Sequence, residues 1–206
     1  MSSIEKLSSY FSKFPGIGPR QAKRFVYFLL LQNEGFLNEL TNLILNLKKD
    51  IKVCVSCHRF FSFPNKETTI CDVCQNPNTD HSMMLILEKD SDFENIKKTG
   101  SYEGKYFILG GSVPILEQNP AEKIRARELF TEVQKQAKQK TLKEVILALS
   151  ANPEGDNTVV YLKKILEPIS QKFGIKISVL GRGLSTGTEL EYSDSHTLKS
   201  ALENRG

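Results

Sequence analysis

The sequence predicts an α/β protein carrying an all-helical N-terminal region and a small cysteine-bearing module. Three observations lead there. From residue 83 onward, short apolar runs alternate with stretches of helical period, the rhythm of a mostly parallel sheet flanked by helices. Before residue 50 the apolar residues recur at helical spacing. Between the two regions lie the only 4 cysteines of the 206-residue chain, as two Cys-x2-Cys pairs at 54, 57, 71 and 74.

The elements follow in order. Residues 4–14 place Ile4, Leu7, Tyr10, Phe11 and Phe14 on one helical face. Pro15-Gly16-Ile17-Gly18-Pro19 breaks that helix, and a second runs from Arg20 to about Gln32, with Pro19 suited to its first turn. Gly35 punctuates, and a third amphipathic helix over 36–49 ends in Lys48-Lys49, as the helix dipole favours. The cysteine pairs occupy 54–74, and the polar stretch 75–80 marks a boundary. Strands are expected at 83–87, 106–109, 144–149 and 176–180. The helices between them are expected at 92–98, 121–138 and 156–173, the last with Pro168 as a point of interruption. The tail from 182 to 206 is less regular, with only 195–203 weakly helical. The expected organisation is a helical region at 1–53, a cysteine module at 54–80, an α/β domain at 81–180 and a tail at 181–206.

Hydrophobic content of 39% and charged content of 25% are ordinary for a soluble globular protein. No apolar run reaches the roughly 18 residues of a membrane span. The segment Met1-Ser2-Ser3-Ile4-Glu5-Lys6 lacks the features of a signal peptide, so a cytoplasmic location is expected. The net charge of +4 is unevenly spread: Lys6, Lys13, Arg20, Lys23 and Arg24 face only Glu5 in the first 33 residues, and the rest of the chain balances. A modest N-terminal basic patch suggests a polyanionic partner.

Two Cys-x2-Cys knuckles can present four thiolates at the corners of a tetrahedron, the arrangement a structural zinc ion needs. Two disulfides or four unrelated thiols are the alternatives; the expected reducing compartment favours zinc. His58 follows Cys57 and could replace a sulfur, but Cys54, Cys57, Cys71 and Cys74 already complete a closed site. The segment Phe14 to Arg20 has the form of a helix-hairpin-helix. Gly16 and Gly18 let the backbone turn tightly and approach a surface, Ile17 can pin the turn, and N–H groups at the start of the second helix can face a phosphate. Arg20, Lys23 and Arg24 lie within a turn of one another and can reach neighbouring phosphates without reading sequence. The carboxylates Glu88, Asp90 and Asp92 after the first α/β strand, and Glu154 and Asp156 after the third, lie at carboxyl strand ends, where open α/β sheets bind ligands. They can hold Mg2+, or they can be solvated acids, with Asp92 and Asp156 as helix caps. The residues leave both readings open.

Together, the hairpin FPGIGPRQAKRF, the four cysteines, the opening MLILEKDSD, the stretch LALSANPEGDNTVVYL and the tail VLGRGLSTGTELEYSDSHTLKSALENRG resemble the RecR family of bacterial recombination mediators over nearly the whole chain. The resemblance implies an N-terminal helix-hairpin-helix, a structural zinc motif and a Toprim domain. It also implies a ring-like homo-oligomer, a tetramer or dimer, that encircles single- or double-stranded DNA near the nucleoid. RecO and RecF are the implied partners, and together they load the recombinase RecA onto DNA coated by single-strand-binding protein. The tail at 181–206 is expected to lie in the oligomer contact. The Toprim glutamate falls on Glu88 and the paired acids on Glu154 and Asp156, a surface implied in partner binding rather than catalysis. Two departures stand out. The 13 residues between the cysteine pairs form a longer loop than is usual for the family, with Phe60, Phe61 and Phe63 expected to pack the metal lobe. The paired acids read Glu-x-Asp instead of Asp-x-Asp, which weakens the case for Mg2+.

The leading reading is a non-enzymatic DNA-binding scaffold. A small Mg2+-dependent Toprim nuclease is the alternative. A catalytic Toprim enzyme needs a nucleophile beside its acids, and no motif nominates Tyr102, Tyr106, Tyr161 or Tyr192. The glycine pairs Gly110-Gly111 and Gly181-x-Gly183 lack the lysine and hydroxyl residue of a P-loop, which argues against nucleotide hydrolysis by this chain.

Overall fold

A computed structural model describes residues 1–63, 67–181, 183 and 195–203. The chain forms two compact units, Met1–Ile51 and Lys52–Gly206.

The first unit is helical. Helix α1 (Ser3–Phe11) begins at a capping box in which the Ser2 hydroxyl accepts the Glu5 N–H and the Glu5 carboxylate accepts the Ser2 N–H. Helix α2 (Pro19–Leu30) packs on it through Ala22 and Val26, with Phe11 edge-on to Phe25 at 5.7 Å. The first helix ends three residues before the expected Phe14. Backbone bonds from Lys13 to Tyr10 and from Phe14 to Phe11 wind the chain into tight turns ahead of the hairpin. Helix α3 (Glu34–Asp50) is capped by the Asn33 side chain and has no buried residue.

The second unit holds a four-stranded sheet in the order β4-β3-β5-β6, every pairing parallel. Its strands are β3 (Asp80–Leu87), β4 (Gly104–Ile108), β5 (Glu144–Ala148) and β6 (Lys176–Val179). Strand period two splits the core between the faces. Met84 and Ile86 join Leu129 and Val133 of α7 (Ala126–Lys138) and Leu162 and Leu166 of α8 (Pro153–Phe173). Leu85 and Leu87 face the other way, toward Phe93 of α5 (Asp90–Thr99). Both faces being covered explains why these strands read as unbroken apolar runs. Ahead of the sheet, β1 (Ile51–Val53) pairs with β2 (Phe60–Ser62), and the short α4 (Asp72–Gln75) follows.

The expected α/β class with its helical region and cysteine module is the observed one; the later helices depart from expectation in three ways. The expected 121–138 helix is two, α6 (Pro120–Lys123) and α7. Between them Arg125 donates its backbone N–H to Leu109 and its guanidinium to the Ile108 carbonyl, at 2.9 Å each, and these bonds to the strand end replace helix bonds. Pro168 does not interrupt α8. Leu166 and Ile169 on either side are buried in the core, and that packing offsets a penalty of about 3 kcal/mol. Helix α8 also starts earlier than expected, at Pro153, because the Asn152 side chain caps it by accepting the Gly155 N–H at 2.7 Å. Helix α9 (Ser195–Glu203) matches the expected tail helix. The tail motif over 184–194 and Arg182 of the second glycine pair lie outside the described residues.

Strand order places the switch point between β3 and β5, whose following connections leave toward opposite edges of the sheet. The carboxyl ends of these two strands carry Glu88 and Ser150.

Candidate metal centre and nucleic-acid interface

The ligand atoms of Cys54, Cys57, Cys71 and Cys74 all lie within 4.8 Å of one another. The first pair sits on a knuckle after β1. Cys54 donates its N–H to the Arg59 carbonyl and accepts the His58 N–H at its own carbonyl, both at 2.9 Å. His58 closes this turn in the left-handed region, at φ 59°. The second pair brackets the start of α4, and the Cys71 N–H donates to the Cys54 sulfur at 3.4 Å. The Cys57 and Cys71 sulfurs are 3.6 Å apart. Four sulfurs about 2.3 Å from one zinc ion sit about 3.8 Å apart, so the donor set fits that metal. Its chemistry agrees: like charges crowded this closely repel, so four thiolates are stable together only around a cation. His58 is not a ligand, for its ring packs on Phe107 at 5.0 Å. Burial, followed by the charge of Arg125, lowers its pKa.

The module is fastened to the sheet. Ile108, which ends β4, donates its N–H to the Cys57 carbonyl at 2.8 Å, and Phe60 donates its N–H to Asp90 Oδ1 at 2.7 Å. Arg59 is buried, with its guanidinium 4.7 Å over the Phe93 ring and ion-paired to Asp72. Burial works against that charge, but the Cys71 sulfur, the Asp72 carboxylate and the Cys57 sulfur outweigh it, and the Arg59 pKa rises. Phe61 is buried against the cysteines and Phe63 packs beside them, whereas Phe60 is exposed. Residues 64–66 of the long loop lie outside the described residues.

In the helical unit, the hairpin has two glycines with different reasons to be there. Gly16 has φ +76°, which glycine alone adopts easily. Gly18 has φ −81° and caps α2, and a Cβ there would meet nothing within 4 Å. Among the described residues nothing requires glycine at position 18, so its missing side chain leaves the backbone open to an outside surface. No side chain caps the N-terminus of α2. Arg20, Lys23 and Arg24 are all exposed there, with Arg24 donating to the Gln21 side chain at 3.3 Å.

The acids are dispersed. Glu88 is buried at the switch point, where it accepts the Ser150 hydroxyl at 2.5 Å and pairs with Lys89 at 3.5 Å. Exposed Glu154 accepts the Ser112 hydroxyl at 3.2 Å, and Asp156 is exposed in the first turn of α8. Asp90 is spent on Phe60, and Asp92 accepts the Lys89 N–H at 3.0 Å at the start of α5. Among the described residues, only the four cysteines gather three or more such ligand groups around one point. Gly155, between the paired acids, brings α8 against the end of β5, where a Cβ would strike the Ser150 carbonyl. Sequence reasoning missed Ser150, Ser112 and Arg59. Ser150 carries no motif, Ser112 follows the glycine pair Gly110-Gly111, and Arg59 lies in the loop between the cysteine pairs with no local pattern to mark it.

A family profile described as Toprim domain matches residues 82–181, the segment holding this sheet, and one described as RecR, C-terminal matches 183–205. A Recombination protein RecR of Bacteroides thetaiotaomicron is 37% identical over 202 residues, covering 98% of this chain and 92% of the relative. One of Lactobacillus acidophilus is 33% identical, covering 98% and 96%. The chain belongs to the RecR family. A third RecR, of Bdellovibrio bacteriovorus, is 31% identical over 100% of this chain. The helices, cysteines and Toprim sheet therefore all fall within the extent shared with RecR proteins. Among the described residues, no helix is long and apolar enough to cross a membrane.

Proposed function

We propose that this chain is a non-enzymatic DNA-binding mediator of recombination and repair, acting as a ring-like clamp of identical copies. With RecO and RecF it helps load RecA onto DNA coated by single-strand-binding protein, in the bacterial cytoplasm at the nucleoid. The observation that carries the reading is the hairpin. Gly16 sets the turn, Gly18 leaves the backbone bare, and the uncapped start of α2 is ringed by exposed Arg20, Lys23 and Arg24. These are the features of a site for a phosphate backbone.

Self-assembly finds support in α3, where Leu43, Ile44, Leu45 and Leu47 are each at least 60% exposed. A helix with that many uncovered apolar residues is expected to be buried against another surface. Several copies would then sum weak phosphate contacts around one duplex or strand. The parts divide the work: residues 1–53 meet DNA, 54–80 hold a structural zinc ion, the Toprim domain over 81–180 presents exposed Glu154 and Asp156 to partners around buried Glu88, and the tail from 181 joins copies. Zinc, held by the four cysteines, supplies rigidity and no reaction. The dispersal of the acids speaks against phosphoryl-transfer chemistry with Mg2+.

Size-exclusion chromatography with light scattering, with and without DNA, tests the clamp: an oligomer that retains DNA is expected, and a strict monomer would sink it. Incubating that complex with Mg2+ should leave the DNA intact. Cutting that disappears on Glu88→Ala would instead establish a nuclease. Gly18→Ala separates binding from folding. It should melt as the parent does but bind DNA on the order of tenfold more weakly, the equivalent of one charge-assisted hydrogen bond of about 1.4 kcal/mol. Unchanged affinity would remove the hairpin backbone from the interface.

A further inference from the structure

A metal centre of four thiolates and one divalent cation carries two negative charges, and here three of its four cysteines are buried and Cys74 partly so. Asp72, on the residue after Cys71, adds a third charge beside it. The structure gives this cluster a counter-charge from an unexpected place. Arg59 lies two residues beyond Cys57, its side chain 9% exposed, ion-paired to Asp72 and 4.7 Å over the ring of Phe93, itself 1% exposed. Its Nε is buried without a hydrogen-bond partner in the protein. Lys97 of α5 also reaches Asp72, at 3.4 Å, but from an exposed position.

We propose that Arg59 is the outer-sphere cation of the metal centre, and that it couples metal loading to the docking of the cysteine module on the α/β sheet. The proposal rests on the four cysteines holding zinc. Burying a guanidinium is costly unless anions surround it. With metal bound, the thiolates and Asp72 supply that surround. With the metal gone, nothing holds the four sulfurs together beside the guanidinium, and its ion-pair partner Asp72 has a side chain 68% exposed. The flat guanidinium also stacks on Phe93, so one side chain senses the metal at one edge and grips α5 at its face. An empty centre therefore loosens α5 as well as the knuckles.

The test uses full-length protein purified with zinc under reducing conditions. Zinc transfer to a chromogenic chelator is timed, and melting is recorded with and without zinc, for the parent, Arg59→Met and Arg59→Lys. Arg59→Met keeps the bulk without the charge and should release zinc at least about tenfold faster, the usual scale for loss of an outer-shell partner. It should lower the melting temperature of the zinc form far more than that of the stripped form. Arg59→Lys keeps a charge and should recover most of the retention, which keeps the test decisive if the methionine variant folds poorly. Zinc release from Arg59→Met at the parent rate would overturn the proposal. So would an equal loss of melting temperature with and without zinc, or Arg59→Lys releasing zinc as fast as Arg59→Met. A parent protein that binds no zinc would instead overturn the metal reading of the cysteines.

Discussion

Reversing charge at Arg20, Lys23 and Arg24 together is expected to abolish DNA retention and to flatten what remains of its salt dependence. The chain's entire +4 excess comes from the N-terminal segment, and three of its five basic residues are these. Reversal makes that segment net negative, so it should repel a polyanion. Each phosphate neutralised on duplex DNA contributes about −0.9 to the slope of log K against log salt, so three contacts contribute about −2.7 per copy. An assembly in which several copies touch DNA multiplies that figure, which makes the loss larger than any single substitution would give. All three side chains are exposed, and the α1–α2 contact is made by Ala22, Val26, Phe11 and Phe25, so the fold should persist. Fluorescence anisotropy with a labelled oligonucleotide across a salt series, alongside circular dichroism, measures both effects. If a folded triple variant binds as the parent does, with the parent's slope, the hairpin is not the DNA site.

That patch was readable because its signal is local: a Gly-x-Gly turn between two helical periods, with the charges a few residues on. The parallel sheet was readable for a similar reason, since strands covered on both faces are apolar throughout and stand out between amphipathic helices. What stayed hidden depends on contacts between distant residues. The break at Arg125 is set by bonds to Ile108 and Leu109, and the uninterrupted run through Pro168 is set by the core beneath Leu166 and Ile169. The same limit applies at the acidic positions. Glu88 and Ser150 meet across 62 positions of sequence, and no spacing rule joins a glutamate to a serine. At Asp90 and Asp92, where the sequence left ligand and cap readings open, the carboxylates accept the backbone N–H groups of Phe60 and Lys89. Carboxylates at a strand end are frequent enough that only their partners tell a ligand site from a cap. The strands β1 and β2, three residues each, are too short for a periodic pattern; they flank the first cysteine pair, where the Cys54 N–H meets the Arg59 carbonyl.

Cys54→Ala, Cys71→Ala or removal of the metal by a chelator should damage folding and assembly first, with DNA binding lost only as a consequence. The reason is how little else holds the module. Its buried cluster consists of Cys54, Cys57, Cys71 and Phe61, so three of its four core residues belong to the four-cysteine cluster that could hold a metal. A segment of this size cannot bury enough apolar surface to fold alone, and structural zinc contributes about 10 kcal/mol or more in such modules. Part of the damage should spread beyond it, because the module touches the sheet at the β4 end through Cys57 and Ile108, and at α5 through Phe60 and Asp90. Losing even about 4 kcal/mol would lower the melting temperature of a chain this long by on the order of 10 °C, against a total stability of about 5–15 kcal/mol. The hairpin lies in the other compact unit, Met1–Ile51, which contains no metal ligand. Its three basic side chains should still contact phosphate weakly in a copy that cannot assemble. Thermal melting, light scattering and DNA anisotropy on the same samples give the order of events. A cysteine variant that melts and assembles as the parent does, yet no longer binds DNA, would move the metal from a structural role to the DNA interface itself.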